Sequence, residues 1–310
     1  MRRYQQTKYA LGSAAYLTLV LPDDEVPNHW FEELWRRIEV FEQRFSRFRP
    51  DSELSDFNHS AGKQVAVTKE FRTLLVRAKA MARRTGSLYN PFVLPALQRA
   101  GYRGSWPQPE AVNPQVNYED RKIARWEDMQ LGKGWVNIPP NTALDFGGIG
   151  KGYLLDQLSD WLQKQGIENY WLSLGGDVVC AGLDEPGTPW RIGVQHARRE
   201  TKPAAQIAND GKVLAVATSG VTKRSGVRNG TKWHHIIDPR TGRPATTDIL
   251  TATVCSSSAT EADVFAKCLV IVGSTNAEQF LRAAKLPNAL VQLEAGDAIM
   301  LKRMGTIWAD

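Results

Sequence analysis

Apolar residues recur at helical spacing in four stretches of the chain. In "PNHWFEELWRRIEVFEQRF", Trp30, Leu34, Ile38, Phe41 and Phe45 fall on one face, with Asn28 as a cap. "TKEFRTLLVRAKAMARRTG" repeats the design with Phe71, Leu74, Leu75, Ala78 and Met81, and stops at Gly86. "YLLDQLSDWLQKQG" and "SATEADVFAKCLVIVG" complete the helical set. Strand patterns fill much of the remainder. "AYLTLVLP" alternates as a first strand, and "NYWLSLGGDVVCAG" is a strand interrupted at Gly175-Gly176 and followed by "PWRIGVQH". "KVLAVATSG", "KWHHIIDPRTGRPA" and "ILTATVCSSS" read as further strands and turns, and "ALVQLEAGDAIMLKRM" as a hairpin turning at Ala295-Gly296-Asp297. Between 101 and 142, Pro, Gly and Asn punctuate short runs expected to form a hairpin region. Because the strands come in adjacent runs rather than alternating with helices, the expected class is α+β with largely antiparallel sheets and packed helices. No linker divides the chain, so 1–310 is expected to form one domain.

Composition narrows the function classes. A hydrophobic content of 42% and a charged content of 23% describe an ordinary globular chain. The net charge of +6 points to an anionic partner, either nucleic acid or a phosphorylated cofactor. The basic residues are scattered, with no stripe and no nucleic-acid-binding motif, so nucleic acid is not the expected partner. The three cysteines, Cys180, Cys255 and Cys268, each lie in an apolar run without a CxxC, which predicts buried free thiols. The basic, then apolar, N-terminus superficially resembles a secretory leader, but its alternation is that of a strand. No run of 18 apolar residues is present, so no membrane span is expected.

Several short motifs could carry chemistry. "DFGGIGKGY" sets glycines and Lys151 ahead of a helix, where backbone N–H groups and a cation can face a phosphate. It lacks the Walker A spacing, and no other kinase motif accompanies its "DFG". "SLGGDVV" puts two glycines and Asp177 at a bend, or at a close approach of backbone to ligand. Thr218 and Ser219 in "VATSG" offer a polar lining or a turn. His234 and His235 point to opposite faces of a strand, so one at most faces any given site. Asp263 and Lys267 are four apart on one helix face, as an ion pair or as half of a ligand site.

In this order, "FSRFRPDSELSDFN", "LDFGGIGKGY", "LSLGGDVVCAG", "ATSG", "HHIIDPRTGRP" and "SSSATEADVFAKCLVIVG" resemble the ApbE family, the FAD:protein FMN transferases. The resemblance runs from about residue 10 to the C-terminus. It implies an ApbE/T-fold-like architecture, with two subdomains around a central FAD cleft. It also implies an enzyme that uses FAD and magnesium to place FMN on a Ser or Thr of an acceptor protein, with release of AMP. Leu11, Phe48, Tyr89, Asn90, Pro91, Asp145, Lys151 and Ile237 would then contact FAD, with Thr218 and Ser219 beside them. His235 and Asp263 would be catalytic. The implied metal ligands are the Gly148 carbonyl, the Asp263 carboxylate and the side chain at position 267. Exported relatives carry a lipobox cysteine near the N-terminus; none is present here, and the expected location is the cytoplasm.

The chain departs from the family pattern at several positions. The residue at 267 is lysine rather than a hydroxyl-bearing threonine, and a protonated lysine has no lone pair to give a metal. Asn90 and Phe92 stand where aspartate and threonine are usual, and "GVQHAR" lacks the usual Asp-Pro. A second reading follows from these departures: an FAD-binding or regulatory protein with little transferase activity.

Overall fold

The computed structural model describes residues 1–104, 122–185, 187–199, 203–228, 231–285, 288–296, 298–301 and 308–309. Its centre is an eight-stranded sheet whose spatial order equals its chain order: β1 (Arg2–Ala10), β2 (Ser13–Leu21), β3 (Tyr170–Leu174), β4 (Asp177–Ala181), β5 (Leu214–Gly220), β6 (Ile249–Ser256), β7 (Asn288–Leu293) and β8 (Ala298–Leu301). Every neighbouring pair is antiparallel. The helices are α1 (Asn28–Phe45), α2 (Glu53–His59), α3 (Lys69–Arg84), α4 (Leu94–Arg99), α5 (Gly150–Lys164), α6 (Ala259–Val272) and α7 (Ser274–Ala284). The expected α+β class with a largely antiparallel sheet is what the chain adopts.

Alternation along the strands divides the apolar residues between two cores. Leu17, Leu19, Val179, Ala217 and Val254 face the larger one, where α1, α3, α5 and α6 contribute Phe31, Phe71, Leu155 and Phe265. Val20, Val178, Val216 and Leu290 face the other side, under Trp190, Ile192 and Ile207. Each large buried side chain contributes about 1.5–3 kcal/mol of transfer free energy. The helical face predicted for α3 is wholly buried, and Thr68 caps it by accepting from Phe71 N at 3.2 Å. All three cysteines are free and buried. Among the described residues no helix is long and apolar enough to cross a membrane.

Some local expectations change. Arg2–Ala10 is a strand of its own, joined to β2 through Leu11-Gly12, so the N-terminal segment is a hairpin rather than one strand. Its polar "RRYQQTK" stays on the sheet edge, where no residue on either face is buried and no apolar alternation is required. Asn28 does not cap α1; Pro27 precedes the helix without a side-chain cap. "ARWEDM" contains a 3-10 turn at Trp126–Asp128 rather than a strand. The two histidines do not share one strand: His234 ends the strand Thr231–His234, and His235 lies in the bend before Ile237–Asp238. The C-terminal hairpin forms from β7 and β8, while Asp297 of its turn and residues 105–121 of the predicted hairpin region lie outside the described residues.

Candidate active site

The Leu11-Gly12 turn, the end of α1, the 89–97 segment, the start of α5 and the segment after the second histidine converge on one cleft of about 230 Å³. Ten residues singled out in the sequence line it: Leu11, Phe48, Tyr89, Asn90, Asp145, Gly148, Lys151, His235, Ile237 and Lys267. Asp263 is 5% exposed and not part of the lining, although its carboxylate accepts from Gly152 N at 3.3 Å. Pro91 is buried, and its carbonyl accepts from Asp145 N at 2.8 Å. Thr218 and Ser219 lie on β5 outside the lining; the Thr218 amide donates to Asp177 Oδ1 at 3.3 Å, and its hydroxyl bonds Thr253.

Local structure explains why these groups sit where they do. Leu11 holds φ at +53° and Gly12 at +68°, the pair of left-handed residues that a two-residue hairpin turn needs. A leucine in that region is strained, and Glu42 fixes it by accepting from Leu11 N at 3.0 Å. Gly175 and Gly176 form a similar turn between β3 and β4, at φ +63° and +94°, which puts Asp177 at the start of β4. The bend anticipated at these glycines is thus a hairpin turn. Gly152 lets α5 and α6 cross closely, since a Cβ there would lie 2.2 Å from the Ala259 carbonyl. Asp156 of α5 locks the same crossing by accepting from Ser258 Oγ at 2.7 Å and from Ala259 N and Thr260 N at 2.6 and 3.0 Å, at the N-terminus of α6. That clamp fixes the helix carrying Asp263 and Lys267.

Charge is distributed unevenly over the cleft. Lys151 is paired with Asp177, and Arg47 with Asp145 at 3.1 Å. Among the described residues, Lys267 and Arg224 form no ion pair or side-chain hydrogen bond, although both line the cleft. Arg224 lies 5.9 Å over the Tyr102 ring, and Arg47 is sandwiched by Phe48 and Tyr102 at 4.2 and 4.6 Å. Burial, followed by Arg224 and Lys267, holds the His235 imidazole well below its ordinary pKa, so it is neutral at pH 7. Its Nδ1 lies 3.3 Å from the Arg224 carbonyl, which can only accept, so that nitrogen carries the proton and Nε2 keeps its lone pair. His234 turns away to the Ala245 carbonyl, so one histidine of the two meets the cleft. Burial pulls the Lys151 ammonium down, but Asp177 and Asp263 outweigh it, and its pKa is raised. Burial and Asp177 raise the Asp263 carboxyl against the pull of Lys151 and Lys267.

Two further aromatic side chains belong to the cleft lining. Phe48 is 39% exposed at the cleft, edge-on to Tyr102. Tyr89 is buried with its hydroxyl unbonded, and burial, then Asp145 and Asp263, push its pKa well up. Asn90, by contrast, is already committed: its amide donates to Ala124 O at 2.9 Å, and its oxygen accepts from Phe92 N at 3.0 Å. Sequence reading missed Arg47, Arg224 and Tyr102. Arg47 was visible inside "FSRFRPDS", whereas nothing local marked the other two.

A magnesium ion held by Gly148, Asp263 and position 267 does not fit these residues. The Lys267 Nζ packs directly against Gly148, only 1.9 Å from where a Cβ on that glycine would stand. An ammonium therefore fills the space beside two of the implied ligands, and it offers no lone pair. Among the described residues no three His, Cys, Asp or Glu side chains cluster to hold a metal.

Along most of its length the chain is similar to one family of known proteins. The model of the ApbE family matches residues 11–291. The FAD:protein FMN transferase of Vibrio cholerae is 30% identical over 262 residues, 84% of this chain and 78% of that protein. That of Klebsiella pneumoniae is 26% identical over 306 residues, 96% and 92% of the two chains. Among solved structures, the flavin transferase ApbE from Vibrio cholerae superposes with a TM-score of 0.82 at 27% identity, covering 97% of both chains. The ApbE protein from Thermotoga maritima gives 0.84 at 25%, with the same coverage.

Proposed function

The chain belongs to the ApbE family, and from that premise we propose that it is an FAD:protein FMN transferase acting on a Ser or Thr hydroxyl of an acceptor protein. The observation that carries the reading is a neutral His235 in the same cleft as two cations, Lys267 and Arg224, that form no ion pair among the described residues. An aromatic rim suits a flavin, and cations beside a helix N-terminus, without an ion pair among the described residues, suit its pyrophosphate.

In this reading Phe48, the exposed aromatic of the rim, packs on the ring system, and the buried Tyr89 forms part of the wall behind it. The acceptor oxygen attacks the phosphorus of the FMN half. A new O–P bond forms, and the P–O bond to AMP breaks, with its electron pair leaving on the AMP oxygen. The hydroxyl proton passes to His235 Nε2, the free lone pair of a neutral imidazole. Lys267 and Arg224 meet the charge that builds on the non-bridging and leaving oxygens, where preorganised donors act most strongly. Asp263 carries no proton in this step; buried against the start of α5, where it accepts from Gly152 N, it lends its charge to the field around Lys151 and Lys267. Leu11, Asn90, Asp145 and Ile237 shape the cleft, Pro91 supports it by accepting from Asp145 N, and Thr218 acts behind it through Asp177, with Ser219 next to it on β5. Magnesium is left out, because Lys267 occupies its place. A cytoplasmic location belongs to the same reading, and cell fractionation tests it.

The test is the ratio of AMP released to flavin bound when FAD is incubated with an acceptor domain and with its Ser/Thr→Ala counterpart. The reading predicts a one-to-one ratio with the first and neither product with the second. AMP without acceptor labelling would instead make the protein an FAD hydrolase.

A further inference from the structure

Four charged side chains surround the start of α5: Lys151, Asp177, Asp263 and Lys267. Lys151 is spent on Asp177. Asp263 is buried, accepts from Gly152 N, and feels both lysines. That leaves Lys267, four residues along α6 from Asp263, as a cation that lines the cleft without a hydrogen bond or ion pair to any described residue. Its place is built for it. Only a glycine at 148 leaves room for the ammonium, and Asp156 fixes the helix from which it projects. An ammonium half-buried beside Gly147, Gly148 and the N-terminus of α5 sits where backbone N–H groups already favour an anion.

Stability gives little reason for such a lysine. It gains no direct partner among the described residues, and holding a long flexible side chain in one place costs rotamer entropy. Its position is explained if the partner arrives with the ligand. Resting on the FAD reading above, we infer that the Lys267 ammonium is a built-in counter-charge for the pyrophosphate, so that this chain binds FAD without a divalent metal. The ammonium donates to the phosphate oxygens and supplies one of the positive charges that a bound ion would otherwise bring. Arg224 supplies a second from across the cleft. Asp263 then serves as a buried negative charge near both lysines, bonded to Gly152 N, rather than as a metal ligand. Divalent ions have no vacancy to fill at Gly148 and do not compete.

FAD binding tests this directly, with riboflavin as the control ligand that lacks phosphate. Wild type and Lys267→Met are titrated by flavin fluorescence in chelator and in magnesium. The expected wild-type Kd for FAD changes by less than about twofold between the two buffers. In chelator, Lys267→Met weakens FAD by about 10- to 100-fold, the usual range for a charge-assisted hydrogen bond, and leaves riboflavin unchanged. Wild type that binds FAD only with magnesium would overturn the inference and leave the transferase reading standing. So would equal losses of riboflavin and FAD in Lys267→Met, which would make the lysine a packing residue. Wild type that binds FAD equally in both buffers yet flavinylates no acceptor would fault the transferase reading and support the metal-free site.

Discussion

Gly148→Ala is the sharpest probe of how the cleft is built. Gly148 has no left-handed φ, so alanine strains no backbone there, and its single methyl meets the Lys267 ammonium. The Nζ lies 1.9 Å from the new Cβ, and ordinary contact begins at 3.4 Å, so the ammonium must retreat by about 1.5 Å. The obstacle is the end of a flexible side chain, so folding stability should fall by less than about 1 kcal/mol. Ligand binding is another matter. Drawing an ammonium back from about 2.8 to about 4.3 Å from a phosphate oxygen loses about 2 kcal/mol at an effective dielectric of about 20, or roughly 30-fold in affinity. FAD titration and a thermal melt on the same sample read both quantities. A double-mutant cycle separates the causes: once Lys267→Ala has removed the ammonium, Gly148→Ala should add less than about twofold. If Gly148→Ala binds FAD like wild type, or costs as much with Lys267 absent, the ammonium is not the group that the glycine makes room for.

His235→Gln should abolish flavin transfer while keeping FAD affinity within about threefold, measured by acceptor labelling and titration. The native imidazole titrates below 6.5, so between that value and its lowered pKa the unfolded chain binds the extra proton. Wild-type stability should therefore fall as pH drops below 6.5, and chemical denaturation of His235→Gln should show a shallower slope there. Asp156→Ala removes the acceptor for several donors at the start of α6, and should cost about 2–4 kcal/mol in urea unfolding. Burial pushes the thiols of Cys180, Cys255 and Cys268 up to about 12, so at pH 8 they are protonated and should react with a thiol reagent only after unfolding.

Much of this was legible in the chain because it is written at short range. The face of α3 follows from a 3.6-residue period and is buried residue for residue. The Asp263–Lys267 spacing put both groups on one side of α6, and the glycine run ahead of Lys151 marked the helix start at the cleft. The rest depends on contacts between segments far apart. Arg224 and Tyr102 belong to the site only because a loop beside Thr231–His234 folds over the end of α4. Asn90 looked like a ligand group, yet it spends both ends of its amide on Ala124 and Phe92, one of them 34 residues away. The clamp from Asp156 to Ser258, Ala259 and Thr260 spans more than a hundred residues and leaves no local mark. The strand at Arg2–Ala10 lacks apolar alternation because it is an edge strand with no buried residue on either face.

The most direct test of the account is the intact mass of an acceptor domain after incubation with FAD and the protein in the presence of chelator. The account predicts a gain of one FMN less water on a single Ser or Thr, with His235→Gln giving none. An acceptor that stays unmodified, while FAD demonstrably occupies the cleft and the same acceptor is labelled by a known flavin transferase, would contradict it.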